Sequence, residues 1–239
     1  MTTTATITRI ERDGPNGLEE WEQMDYASLD SGTPVQHGHL YHEVEDSGYM
    51  VGVWNCTAFV DKMMPYSVDE YMLFLSGDLT MIMPDGEEIK ITAGDAFVIP
   101  KGLMCQWKQD GPVHKIFMIL NGEIPEAQNV SLTRITLPDL AALDASTSTD
   151  LISDRTDFIN AAGNMRVGVQ TYGAMSQPGF GIKDNQLITV LDGTLHLNDG
   201  EETHSFSAGQ TAYIHQGGTV GWTTEAGTRT ITASYTTRG

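Results

Sequence analysis

Cysteine is nearly missing from this 239-residue chain, which has two, Cys56 and Cys105, both in its first half. Two such thiols give no disulfide framework of the kind that staples small secreted domains, and they read as reduced core or pocket residues. Basic residues are also scarce: 13 Lys and Arg stand against 32 Asp and Glu, a formal charge of −19. A surface of that sign repels phosphate backbones and anionic bilayers, so neither nucleic acid nor a membrane is an expected partner. No run approaches the roughly 18 apolar residues of a membrane-spanning helix. The start, Met1-Thr2-Thr3-Thr4-Ala5-Thr6-Ile7-Thr8-Arg9, lacks the basic-then-apolar order of a secretory signal. A cytoplasmic protein is expected. Within residues 1–30 the only short helical candidate is Leu18 to Met24.

What is present is β punctuation, clearest from Asp69 to Trp107. Glu70 to Ser76 is an apolar-rich run closed by Gly77, and Leu79 to Met83 puts Leu79, Met81 and Met83 on one face. Pro84-Asp85-Gly86 supplies the fixed and positive dihedrals of a tight reversal. Ile89 and Ile91 sit two apart, and after the Ala93-Gly94-Asp95 turn the run Ala96 to Ile99 ends at Pro100-Lys101-Gly102. Short strands between evenly spaced Gly and Pro predict an all-β closed or double-sheet antiparallel barrel.

The pattern recurs. Val51-Gly52-Val53-Trp54 returns as Val167-Gly168-Val169-Gln170, Gly77 as Gly193, Asp85-Gly86-Glu87-Glu88 as Asp199-Gly200-Glu201-Glu202, and Trp107 as Trp222. Offsets that stay nearly constant over this length mark a duplicated domain. The expected layout is an N-terminal arm over 1–30, one barrel over 31–125, a Pro- and Ser/Thr-bearing linker and lead-in over 126–154, and a second barrel over 155–239.

These residues carry a resemblance. Gly94 to Gly102 resembles the second signature of the cupin superfamily, and Glu70, six residues ahead of Gly77, resembles the end of its first. Pro100-Lys101-Gly102-Leu103-Met104-Cys105-Gln106-Trp107 is similar to the subfamily named after (S)-ureidoglycine aminohydrolase. The resemblance implies two tandem jelly-roll barrels, a bicupin that pairs into a homodimer. It also implies a metal held by two histidines and a glutamate from the first signature and one histidine from the second. Glu70 matches the glutamate, but the two histidine positions fall among Met63, Met64, Pro65 and Tyr66, the third is Cys105, and the signature's asparagine is Gln109. In the second barrel the glutamate position is Gln186, the Pro100 position is His215 and the Cys105 position is Val220. A divalent metal in the first barrel is therefore disfavoured, and no cofactor is assigned. His37 and His39, two apart in a strand, are a weaker alternative pair of ligands against a polar strand facing water.

The first barrel is expected to hold the site, with the second as its structural partner and His196, His204 and His215 scattered singly. If Glu70 points inward, alternation turns Met72 and Phe74 with it and sets Met81 beside them; Cys105 and Trp107 share a face across the barrel. A buried carboxylate needs a partner or a proton, which Tyr66, His114 or Lys115 would supply, the register after Pro112 deciding between the last two. The expected function is binding of a small carboxylate- or nitrogen-containing metabolite, with Glu70, Lys115 and His114 as acid/base groups and Tyr66, Met72, Phe74, Met81, Cys105 and Trp107 around the ligand. The competing expectation is a non-catalytic bicupin that binds or merely folds.

Overall fold

The computed structural model describes residues 6–121, 130–136 and 152–237. Among them there is no α-helix, only the 3-10 turns Tyr26–Ser28 and Glu45–Ser47 between strands. They form two compact units, one of Glu11–Arg134 with Asn160–Ala162, the other of residues 6–10, 135–136, 152–159 and 163–237.

In the first unit the larger sheet runs, strand by neighbouring strand, from the edge strand Thr133–Ile135 through Ala96–Ile99, Asp69–Ser76, Val113–Leu120, Tyr49–Cys56 and Gln36–Val44 to Glu19–Glu20. The smaller sheet takes Glu88–Ile91, Leu79–Ile82, Met104–Gln109, Phe59–Asp61 and Leu29–Gly32, with Met64–Pro65 paired beside Met104 and Cys105. The second unit repeats both orders. Ile7–Ile10, Thr211–Ile214, Asn185–Asp192, Thr228–Tyr235, Met165–Tyr172 and Ile152–Ile159 make its larger sheet, and Thr203–Ser207, Thr194–Asn198, Thr219–Thr224 and Met175–Gly181 its smaller one. Each unit is a cupin-type double-sheet barrel, as the repeat in the sequence requires.

Alternation builds the core. In Asp69–Ser76 the first six residues are buried, so both faces of the strand are covered. Met72 and Phe74 join Trp54, Cys56, Phe59, Met81, Cys105, Trp107 and Phe117 in the interior cluster of the first barrel. Burying each large side chain contributes roughly 1.5–3 kcal/mol over exposure. The turn that follows needs glycine: Gly77 has φ 82°, and a Cβ there would lie 2.2 Å from the Pro112 carbonyl oxygen. Its repeat, Gly193, has φ 73° and would meet Thr228 Oγ1 at 2.6 Å.

Two segments depart from expectation or escape it. Leu18 to Met24 is not helical: Glu19 and Glu20 pair with Gly38 and His37, and a Cβ on Gly38 would fall 2.3 Å from the Trp21 ring. Seven residues cannot hold a helix unaided, and packing the indole edge-on to Phe117 at 6.3 Å decides the conformation. Of the expected arm, Ile7–Ile10 pairs with Thr211–Ile214 in the second unit, while Glu11 onward belongs to the first. Most of the expected linker, including Leu140 to Asp144, lies outside the described residues.

Candidate functional site

Glu70 and Lys115 meet inside the first barrel. Both lie in the larger sheet, Glu70 opposite Ile119 and Lys115 opposite both Phe74 and Trp54. A register shift between His114 and Lys115 turns Lys115 inward and sends His114 out, where its Nε2 lies 2.8 Å from the Arg12 carbonyl oxygen. His114 is therefore no partner of Glu70, a correction that follows from strand alternation at an irregular pair.

The ammonium of Lys115 donates to Glu70 Oε1 at 2.8 Å and sits 3.3 Å from Met72 Sδ. It lies over the rings of Trp54, Trp107 and Phe117 at 4.6, 4.9 and 6.0 Å from their centroids. Glu70 is 3% exposed and Lys115 6%. Opposite charges, three π faces and a soft sulfur compensate the loss of water around a dry ammonium.

Tyr66 closes the other side of the carboxylate, its hydroxyl donating to Glu70 Oε2 at 2.5 Å. Its backbone is tied to the Pro100-Lys101-Gly102 turn: Tyr66 N bonds the Leu103 carbonyl and Gly102 N bonds the Tyr66 carbonyl, each at 2.8 Å. Burial first, and then the negative charge of Glu70, push the Tyr66 phenol well above its ordinary value, so it stays a proton donor. Gln109, at the signature's asparagine position, fixes Trp107 by accepting from its Nε1 at 2.7 Å while donating to the carbonyls of Cys56 and Thr57 at 3.0 and 2.9 Å.

One acid escaped the sequence. Phe59 and Lys108 fix the register of the short strand Phe59–Asp61, in which Gln109 faces Phe59 and, two residues on, Asp61 reaches the level of Trp107. Phe59 stacks on Trp107 at 6.3 Å, so Asp61, on the same face, also points inward. Burial lifts its carboxyl to about 6 against the opposing pull of Lys115, and its side chain accepts no hydrogen bond among the described residues. A three-residue strand has too few positions to show a period, which is why no sequence signal marked it. Trp54 and Phe117 were equally unmarked, although each follows by alternation once Cys56 and Lys115 are set inward.

The remaining expected residues divide. Cys105 is buried, and burial with the nearby Asp61 charge pushes its thiol to about 12; burial takes Cys56 to about 11. Neither is an activated nucleophile, since the thiolate is the reactive form. Phe74 packs on Phe97 and Trp107, and Met81 faces Trp107 in register, both as fully buried core. Met63, Met64 and Met104 stay 38%, 38% and 41% exposed at the end of the barrel where Met64 pairs with Cys105.

A transition metal does not suit these donors. The ammonium 2.8 Å from Glu70 stands where a metal ion would have to approach that carboxylate, and Cys105 holds its proton to about 12. Among the described residues no three His, Cys, Asp or Glu side chains group as ligands. His37 and His39 form no such group either; the ring of His39 packs edge-on to Tyr41 at 4.7 Å. In the second barrel His196 Nδ1 lies 2.8 Å from Ser205 Oγ, and His204 3.6 Å from Asp199.

Residues 45–117 match the EutQ-like cupin domain family. The sequence matches no curated protein. A protein of unknown function from Pseudomonas syringae pv. tomato aligns over 96% of this chain and 99% of its own with a TM-score of 0.71 at 18% identity. A cupin 2 conserved barrel domain protein from Leptotrichia buccalis covers 92% of this chain and 98% of its own at TM-score 0.60 and 12% identity. A salicylate 1,2-dioxygenase from Pseudoaminobacter salicylatoxidans covers 77% and 70% at TM-score 0.51 and 10% identity. Structural likeness at such identities speaks for the fold alone. With the sheet orders, it shows a fold of two tandem cupin-type barrels, the first of which contains the residues that match the EutQ-like cupin domain.

Proposed function

We propose that the first barrel binds a small carboxylate- or nitrogen-containing metabolite at the end marked by Tyr66, Cys105 and Asp61. There Glu70, Lys115 and Tyr66 do acid/base chemistry of hydrolase, lyase or isomerase type. The observation that carries the proposal is one carboxylate bonded by two proton donors, an ammonium and a phenol, with the unbonded carboxyl of Asp61 facing the same interior. Titratable groups pushed apart by burial are what proton transfer at neutral pH requires. Asp61 supplies the group able to exchange a proton with solvent, Glu70 and Lys115 form the ion pair beside it, and Tyr66 donates. The likeness of Pro100 to Trp107 to the ureidoglycine aminohydrolase subfamily supports a nitrogen-bearing substrate. Assembly as a homodimer belongs to the same proposal, and a monomer mass in light scattering removes it.

A second function has its own observation. The near-complete burial of Met72, Phe74 and Met81 at 0%, 1% and 0% favours a non-catalytic barrel in which the ion pair is internal structure. A thermal-shift screen of the whole protein against small carboxylates, amides and amines, repeated on Asp61→Asn and Tyr66→Phe, separates the two. The acid/base site requires a compound that raises the unfolding midpoint of the wild type and is turned over more slowly by both variants. Absence of any compound whose binding responds to either substitution leaves the structural barrel.

A further inference from the structure

The interior of the second barrel is lined by small polar side chains where that of the first carries an ion pair and aromatic rings. Register fixes the correspondence: Lys115 faces Trp54 as Thr230 faces Gln170, Phe117 faces Gly52 as Thr232 faces Gly168, and Ile119 faces Glu70 as Ser234 faces Gln186. An ammonium, two aromatic rings and an isoleucine are thus replaced by hydroxyls and an amide. Tyr172, Ile188 and Val190 belong to the core cluster of this barrel, so the residues in step with them, Arg166, Gln170, Gln186, Thr232 and Ser234, face the same side of the sheet. On that face lies a cavity of about 310 Å³, at the small end of ligand pockets.

Arg166, Ser234 and Gln186 form one row across three adjacent strands, because Ser234 pairs with both of the others. Directly opposed residues hold their Cβ atoms about 5 Å apart, within reach of one small bound group. None of the three side chains has a hydrogen-bond or ion-pair partner among the described residues. The acids lining the cavity are in the opposite condition. Asp154 accepts from Gln170 Nε2 and Asp184 from Thr236 Oγ1, each at 2.7 Å. Donors without acceptors beside acids already supplied with donors call for a ligand that accepts.

The geometry points to a binding site for a small monocarboxylate in the second barrel, its carboxylate on the Arg166 guanidinium, the Ser234 hydroxyl and the Gln186 amide. A planar guanidinium fork matches a carboxylate in two parallel bonds. Asp154 and Asp184, lining the same cavity, oppose a second negative charge, which disfavours phosphate and dicarboxylates. The apolar flank of Ile152 and Tyr172 leaves room for a short carbon substituent.

The test is calorimetric titration of the full-length protein with acetate, propanoate and benzoate, alongside inorganic phosphate, succinate and methylamine. At least one monocarboxylate is expected to bind, and Arg166→Met to weaken it about tenfold or more, with Arg166→Lys between. Ser234→Ala is expected to weaken it less. Arg166 is exposed, so these variants keep the fold, checked by an unchanged unfolding midpoint without ligand. Glu70→Gln should leave the titration untouched, which separates this site from the one proposed in the first barrel. Failure of every monocarboxylate to bind overturns the assignment. So does binding indifferent to Arg166→Met, or tighter binding of phosphate, succinate or methylamine than of all three monocarboxylates.

Discussion

The two barrels wrap the same sheet order around opposite interiors. In the first, an ion pair is sealed among Trp54, Trp107, Phe117 and Met72; in the second, Gln170, Gln186, Thr230 and Thr232 take the matching places and leave a cavity. Backbone geometry was retained in both, as Gly77 and Gly193 show, each with positive φ and no room for a Cβ. The turn and the alternation specify the barrel, and the polar side chains inside are free to diverge. A buried charge allows less freedom than a buried amide, because it needs both a counter-charge and a cage, so the first interior is tightly constrained and the second is not.

The largest effect that would break this contrast lies in the ion pair. Lys115→Met removes the ammonium and leaves Glu70 buried with Tyr66 alone, which should lower unfolding free energy by roughly 3–5 kcal/mol in urea titration at pH 7. Adding Glu70→Gln to that variant should restore most of the loss, since an unpaired charge rather than a missing contact is then the cause. At the counterpart of Glu70 in the second barrel, Gln186→Leu should stay within about 1 kcal/mol of wild type. Equal losses in both barrels would mean that the ion pair is not what distinguishes them.

A smaller difference separates the two paired tryptophans. Trp107 Nε1 is bonded by Gln109, whereas the buried Nε1 of Trp222 has no hydrogen-bond partner among the described residues. Trp107→Phe strands the Gln109 oxygen and should destabilise by about 1–3 kcal/mol beyond the lost ring area. Trp222→Phe removes an unsatisfied donor and should be milder by about that amount, read by thermal unfolding of the two variants side by side.

How much of this was legible depends on the range over which the cause acts. Hairpins, turns and the duplication are written in neighbouring residues, in Pro84-Asp85-Gly86 and in offsets such as Val51-Gly52-Val53 to Val167-Gly168-Val169, and the fold follows from them. Glu70, Tyr66 and Lys115 were candidates because one signature position fixes Glu70, and alternation limits what faces it. The choice of Lys115 over His114 turned on a single register shift, which no local pattern announces. Asp61 is set by its level against Trp107, a pairing 46 residues distant in sequence, and so was invisible. The polar second interior was missed for a different reason. The glutamate position of its signature is Gln186, and a row of Arg, Ser and Gln gathered from three strands has no spacing of its own.

The smallest contrast is a titration. Burial raises the Asp61 carboxyl from 3.8 to about 6, so between those values the folded protein holds a proton that the unfolded chain has released. The stability tied to that proton is therefore fully present below pH 3.8 and is lost as pH rises through about 6. Asp61→Asn should be more stable than wild type at pH 7 and close to it at pH 4, the gap opening mainly between those two limits. In the second barrel Gln177 faces Trp222 as Asp61 stands level with Trp107, and it carries no titrating proton, so Gln177→Ala should shift stability by the same amount at every pH. A gap for Asp61→Asn that narrows as pH rises would mean that its carboxyl is held down by Lys115 rather than lifted by burial, and the first interior would then be more polar than its packing allows.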